Sequence, residues 1–222
     1  MNGIDNPWRS LPEKPLYILP EDASLIADFN TIAAEKFRVR LEVYPEPFLG
    51  QTDAPLVVLG LNPGFKELDL SQHSKPLFAA RLRGNLLHED AQYPFYLLDP
   101  EIERTKYWER KLRPLIESVG VRTVAQNVLC VEYFPYHSFR FRHGKLSLPS
   151  QQYSFSLVRS AINRGAVILM LRGKKLWFSA IPELMQYKKC YFPNSVQNPT
   201  VSRRNFPLGF EPAIAALQTA VS

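Results

Sequence analysis

Asparagine, glutamate, histidine and arginine stand in this sequence where they could act on a bound molecule. Asn62 lies in Gly60-Leu61-Asn62-Pro63-Gly64, directly after an apolar run. Gly60 and Gly64 permit close backbone approach, and Pro63 fixes φ beside the asparagine. An amide held this way can orient a water through its carbonyl, although it is not a base. The same residues can equally form an Asx-type turn with no chemistry. Asn127 sits in Ala125-Gln126-Asn127-Val128-Leu129-Cys130. A polar amide in an apolar run needs partners. It either reads the edge of a planar heterocycle or bonds to neighbouring backbone. The run leads into Glu132-Tyr133-Phe134-Pro135-Tyr136-His137-Ser138, where Glu132 and His137 either do acid–base work or anchor a loop. Near the C-terminus, a short proline-stiffened stretch holds Asn198, Thr200, Ser202, Arg203 and Arg204. Its arginines either counter phosphates or sit solvated.

These residues need elements to position them. Leu56 to Leu61 is a short Val/Leu run that fits a strand buried on both faces. Val124 to Val131, Ala166 to Leu171 and Tyr187 to Phe192 repeat the pattern. Helical spacing begins at Glu21 and recurs in Tyr107 to Val119, Tyr153 to Asn163, Lys174 to Ala180 and Phe210 to Val221. Alternating strands and helices predict an α/β protein, a three-layer α/β/α fold around a mostly parallel four-stranded sheet. Residues 1–222 read as one domain, with 1–21 as a proline-rich surface arm. The irregular stretch from Gly64 to Thr105 reads as a lid or pocket wall. Ligands of such sheets sit beyond the carboxyl ends of the strands, so the loops that leave those ends matter most.

Composition narrows the class. The chain has 222 residues, 45% of them hydrophobic, enough for one substantial core. Lys plus Arg number 27 and Asp plus Glu 21, a net charge of 27 − 21 = +6 that leans weakly toward an anionic partner. No stretch of 18 apolar residues suggests a membrane span, and Met1 to Arg9 lacks the pattern of a signal peptide. Two cysteines, Cys130 and Cys190, cannot build a disulfide scaffold or a four-cysteine metal site, and both read as buried free thiols. A cytoplasmic, monomeric protein without membrane contact is expected.

Taken together, the segments resemble the uracil-DNA glycosylase superfamily. Leu59 to Gly64 is similar to the Gly-x-Asn-Pro-Gly motif of its mismatch-specific and single-strand-selective branches. Asn198 to Arg203 resembles the second motif, with Asn in place of the His of other branches. Lys75 to Arg81 resembles the segment that supplies a stacking phenylalanine, and Ala125 to Leu129 the strand whose asparagine reads the base. The resemblance implies a monofunctional DNA glycosylase of base excision repair that flips uracil or a related base from DNA, without cofactor or metal. It implies that Asn62 positions the water and Asn198 contacts the departing base. Gly60, Leu61, Pro63, Gly64, Phe78 and Asn127 would line the base site, with Tyr93, Phe95 and Tyr96 as other stacking rings. Thr200, Ser202, Arg203 and Arg204 would hold the DNA. Two alternatives stand beside this: a catalytically inactive or altered nucleic-acid-binding member of the fold, and a small-molecule hydrolase using His137 and Glu132.

Overall fold

The computed structural model describes residues 4–103, 106–197 and 199–220. Helix α1 (Pro20–Ile32) opens on a proline, with Glu21 and Asp22 in its first turn, where the helix dipole favours acids. Strands β1 (Phe48–Leu49) and β2 (Leu56–Leu59) follow. Helices α2 (Glu67–His73) and α3 (Pro76–Leu87) come next, then α4 (Tyr107–Val119) and α5 (Val121–Asn127), which runs into β3 (Val128–Val131). Helix α6 (Gln151–Asn163), β4 (Val167–Met170), α7 (Lys174–Ala180), β5 (Cys190–Tyr191) and α8 (Phe210–Thr219) complete the chain.

The sheet order is β1-β3-β2-β4-β5. Strands β3, β2, β4 and β5 are parallel, and β1 pairs antiparallel with β3 at the edge. The register sets Leu56 beside Val128 and Val167, and Leu59 beside Val131 and Met170, so the three central strands begin and end together. All their residues are buried, as expected for a sheet covered by helices on both faces. Helix α8 packs on β2 and β4, and α6 packs on β3. This is the expected three-layer α/β/α class, with one edge strand more than the four expected.

Three local expectations change. The run Val124 to Val131 is not one strand: Val121–Asn127 is helical, and the strand begins at Val128. The arm, exposed from Pro12 to Leu16, is also anchored in the core. Trp8 is 1% exposed, and Asn6 caps the short turn around it while its amide reaches the Leu86 carbonyl at 2.7 Å. The irregular stretch after Gly64 is largely helical, through α2 and α3, with Thr105 outside the described residues. Cys130 and Cys190 are buried free thiols, as expected. Among the described residues no helix is long and apolar enough to cross a membrane.

Candidate active site at the carboxyl edge of the sheet

A cavity of about 530 Å³ opens where β2, β3 and β4 end. Its walls include Leu61, Asn62, Pro63 and Gly64 after β2, Glu132, His137 and Ser138 after β3, and Arg172 after β4. Ligand sites of parallel sheets form at this edge because the loops there converge.

The two loops behind Asn62 and Glu132 are tied together along their length. Gly60 N–H donates to the Val131 carbonyl at 2.9 Å, Phe134 N–H to the Leu61 carbonyl at 3.0 Å, and Phe65 N–H to the Ser138 carbonyl at 3.0 Å. Trp177 of α7 donates its indole N–H to the Gly60 carbonyl at 2.8 Å. Gly60 is required here: a Cβ would overlap the Glu132 carboxyl group.

Asn62 is half-buried, and its amide donates to the Pro63 carbonyl at 2.9 Å and to Ser138 Oγ at 3.0 Å. A carbonyl can only accept, so Nδ2 must face Pro63. Oδ1 is therefore the free end, and no donor to it is found among the described residues. The amide presents a fixed acceptor to a water in the cavity.

Buried acids lie deeper. Glu132 is 7% exposed; its Oε1 receives the Cys130 thiol at 3.9 Å, while Oε2 has no partner. Burial, then the nearby charge of Glu46, push the Glu132 carboxyl up to about 8. Arg172, the Leu61 N–H and the Cys130 thiol pull it the other way. Burial also pushes Glu46 up to about 7, against the Tyr96 hydroxyl that donates to its Oε1.

His137 is 3% exposed and donates Nδ1–H to the Gly64 carbonyl at 2.8 Å. Its Nε2 is thus the acceptor of the neutral ring, buried and without a well-formed hydrogen bond, 3.7 Å from Glu46 Oε2, while the Tyr44 backbone also faces the ring. Burial lowers its pKa and keeps the ring neutral. No hydrogen bond joins His137 to Glu132; they share a cavity but not the pairing that a His–Glu hydrolase would use.

Ligand atoms of Glu46, His73 and His137 lie within 4.8 Å of one another, which raises the question of a metal. His73 Nδ1 accepts from the Tyr44 N–H at 3.1 Å, so the neutral ring carries its proton on Nε2. Burial, then His137, hold this ring well below its ordinary pKa. Only His137 Nε2 and Glu46 Oε2 remain as ligand atoms, short of the three or four that zinc-type sites use. The cluster fits a hydrogen-bonding wall better than a metal site.

The expected site residues divide. Asn62, Leu61, Pro63, Gly64, Phe78, Glu132 and His137 line the cavity, and Gly60 stands behind it. Asn127 does not come near it. It ends α5 just before β3, at the amino edge of the sheet, and its amide donates to the Thr123 carbonyl one turn back at 3.0 Å. Its polar group is satisfied inside its own helix. The residue that leaves β3 into the cavity is Glu132, five positions later.

Phe78 contributes wall, packed edge-on to Tyr96 at 5.6 Å, and Phe95 and Tyr96 are buried. Tyr93 lines a smaller cavity elsewhere. The rings that line the main cavity beside Phe78 include Tyr107 and Trp108 of α4.

Asn198 lies outside the described residues. In the loop after it, Val201 is buried and bonded to the Lys111 carbonyl of α4 at 2.9 Å, and Thr200 and Ser202 are half-buried. Arg203 is exposed and paired with Glu211; Arg204 is exposed. None of Thr200, Ser202, Arg203 and Arg204 lines the cavity. Basic residues that do line it are Lys66, Arg140 and Arg172, all exposed at the mouth. Sequence reading missed Glu46, His73, Trp108 and Arg172 as site residues. The sole local signal was an acid, Glu46, isolated between Pro45 and Pro47.

Set against known protein families, curated proteins and solved structures, the chain finds no match.

Proposed function

We propose that this chain is a monofunctional DNA glycosylase of the uracil-DNA glycosylase type, hydrolysing the N-glycosidic bond of uracil or a related damaged base in the cytoplasm. The observation that carries the reading is Asn62. Its amide is held by Pro63 and Ser138, which leaves Oδ1 without a donor among the described residues, and Asn62 lines the cavity at the carboxyl edge of a parallel sheet. A water bound there is placed to attack C1′ of a nucleotide turned out of the helix. The exposed Lys66, Arg140 and Arg172 at the mouth supply counter-charge for the backbone. The aromatic wall of Phe78, Tyr107 and Trp108 offers the base a stacking surface.

The test uses oligonucleotides carrying uracil, hypoxanthine or xanthine, single- and double-stranded, together with methylated DNA. Base release leaves abasic sites, read by alkaline cleavage. Abasic sites above the protein-free rate on at least one substrate are expected, and none on any substrate would overturn the reading.

A second reading is favoured by one observation: Val201 of the second-motif loop is wholly buried, so its side chain is not available to DNA. A nucleic-acid-binding module of the same fold would bind DNA with strong salt dependence and release no base.

A further inference from the structure

Which base the cavity takes can be argued from its polar atoms, given the glycosylase reading. The cavity changes character with depth. Its mouth carries exposed Lys66, Arg140 and Arg172, whereas its floor carries the carboxyls of Glu46 and Glu132. Among the described residues that line it, two buried side chains hold a polar atom without a hydrogen bond, Glu132 Oε2 and His137 Nε2. His137 Nε2 can only accept, because Nδ1–H is held by the Gly64 carbonyl. A buried acceptor without a donor is costly, so a ligand bringing N–H groups relieves it. Uracil presents one N–H between two carbonyl oxygens, and those oxygens would face His137 Nε2 and, once Glu132 is ionised, its carboxylate. An amino-bearing ring presents donors. A positive ring also gives the two carboxyls, once ionised, a counter-charge, and the aromatic wall holding Phe78 and Trp108 suits a cation.

We infer that this floor selects an amino-bearing purine made cationic by ring N-alkylation, of the 3-methyladenine or 7-methylguanine kind. The chemistry balances without an anion stabiliser. The water on Asn62 Oδ1 adds its oxygen to C1′ as the C1′–N bond breaks. The bonding electron pair moves to the ring nitrogen and cancels the positive charge. The base departs neutral, and the water's extra proton goes to solvent. An imidazole for a departing anion, which the second motif of this sequence lacks, is then not needed.

Ionisation of Glu132 gives a separate readout. Facing it are Glu46 ahead of β1, Cys130 of its own strand, the Leu61 N–H after β2, Tyr107 of α4 and Arg172 after β4. It holds its proton to about 8. A cationic base is bound by the ionised form, so turnover on it rises with pH toward about 8. Uracil would need the carboxylic O–H as a donor, and its turnover would fall over the same range.

The experiment incubates dimethyl-sulfate-treated DNA and a uracil-containing duplex with the full chain and quantifies free bases by chromatography, corrected for protein-free loss. At pH 8 and above, methylated purines are expected at least about 10-fold faster than uracil, the value of one charge-assisted hydrogen bond. Glu132→Gln is expected to lose about 10- to 100-fold on the methylated purines and to abolish the rise of their turnover with pH. Uracil release with methylated purines untouched, or methylpurine turnover that falls with rising pH, overturns this inference and leaves the glycosylase reading standing. No base released from either substrate overturns both.

Discussion

The two edges of the sheet each hold a cavity of similar size, about 530 Å³ at the carboxyl edge and about 570 Å³ at the amino edge. Their polar groups are treated in opposite ways. At the amino edge Arg164 donates to the carbonyls of Asp53 at 3.2 Å and Ala54 at 3.1 Å, and Lys189 donates to the Gly165 carbonyl at 2.9 Å. These side chains close off backbone that the strands leave unpaired. At the carboxyl edge Glu132 Oε2 and His137 Nε2 are buried with nothing to bond, and two carboxyls are held near neutral charge. Volume does not separate the two cavities; the unsatisfied polar groups in their linings do.

The contrast can be tested by substitution. The largest effect is expected from Asn62→Ala, which removes the water-orienting acceptor: single-turnover base release should fall at least about 100-fold. Circular dichroism and the melting temperature should stay close to the parent's, since the side chain is half-buried. Gly60→Ala comes next. The added methyl meets the Glu132 carboxyl, and chemical denaturation should show a loss of about 1–3 kcal/mol. An unchanged midpoint would mean that Glu132 does not occupy this position.

Glu132→Gln sharpens the comparison through stability. The unfolded carboxyl titrates near 4.5 and the folded one at about 8, so the folded protein holds a proton that the unfolded chain releases. Stability from this group is therefore full below about 4.5 and is lost as pH rises toward about 8. The variant should melt higher than the parent at pH 8 and show little gain at pH 4.5. Each tenfold difference in proton affinity is worth about 1.4 kcal/mol. Equal shifts at both pH values would show that the carboxyl is not held protonated.

At the mouth, Arg140→Ala with Arg172→Ala should weaken DNA binding and flatten its salt dependence by about one ion per arginine. Arg164→Ala at the opposite edge should leave binding alone and lower stability by about 1 kcal/mol. The smallest effect is Asn127→Ala. It should cost no more than about 1 kcal/mol and leave base release unchanged, because its amide serves its own helix. A large loss of activity would place the reading edge at the wrong end of the sheet.

Much of this was legible in the chain. The Val/Leu runs became the parallel strands, and the Gly-Leu-Asn-Pro-Gly loop emerged where β2 ends, with its asparagine facing the cavity. Asn127 was misplaced for a definite reason. Val124 and Ala125 are buried in the last turns of α5 and look the same in sequence as the first residues of a buried strand. The register then decided, since a strand beginning at Val128 matches the four residues of β2. Glu46 and His73 were illegible because neither belongs to a motif. They reach the site only when the chain before β1 and the end of α2 fold against the loop after β3.

The sequence by itself determined the α/β class, because burial on two faces demands unbroken apolar runs, and it determined the rigid asparagine loop, because proline and glycine act locally. Tertiary structure alone decided which acid faces the cavity and how readily it ionises. Glu132 holds its proton to about 8 because folding strips its water and brings Glu46 beside it, from a segment 86 residues earlier in the chain (132 − 46 = 86).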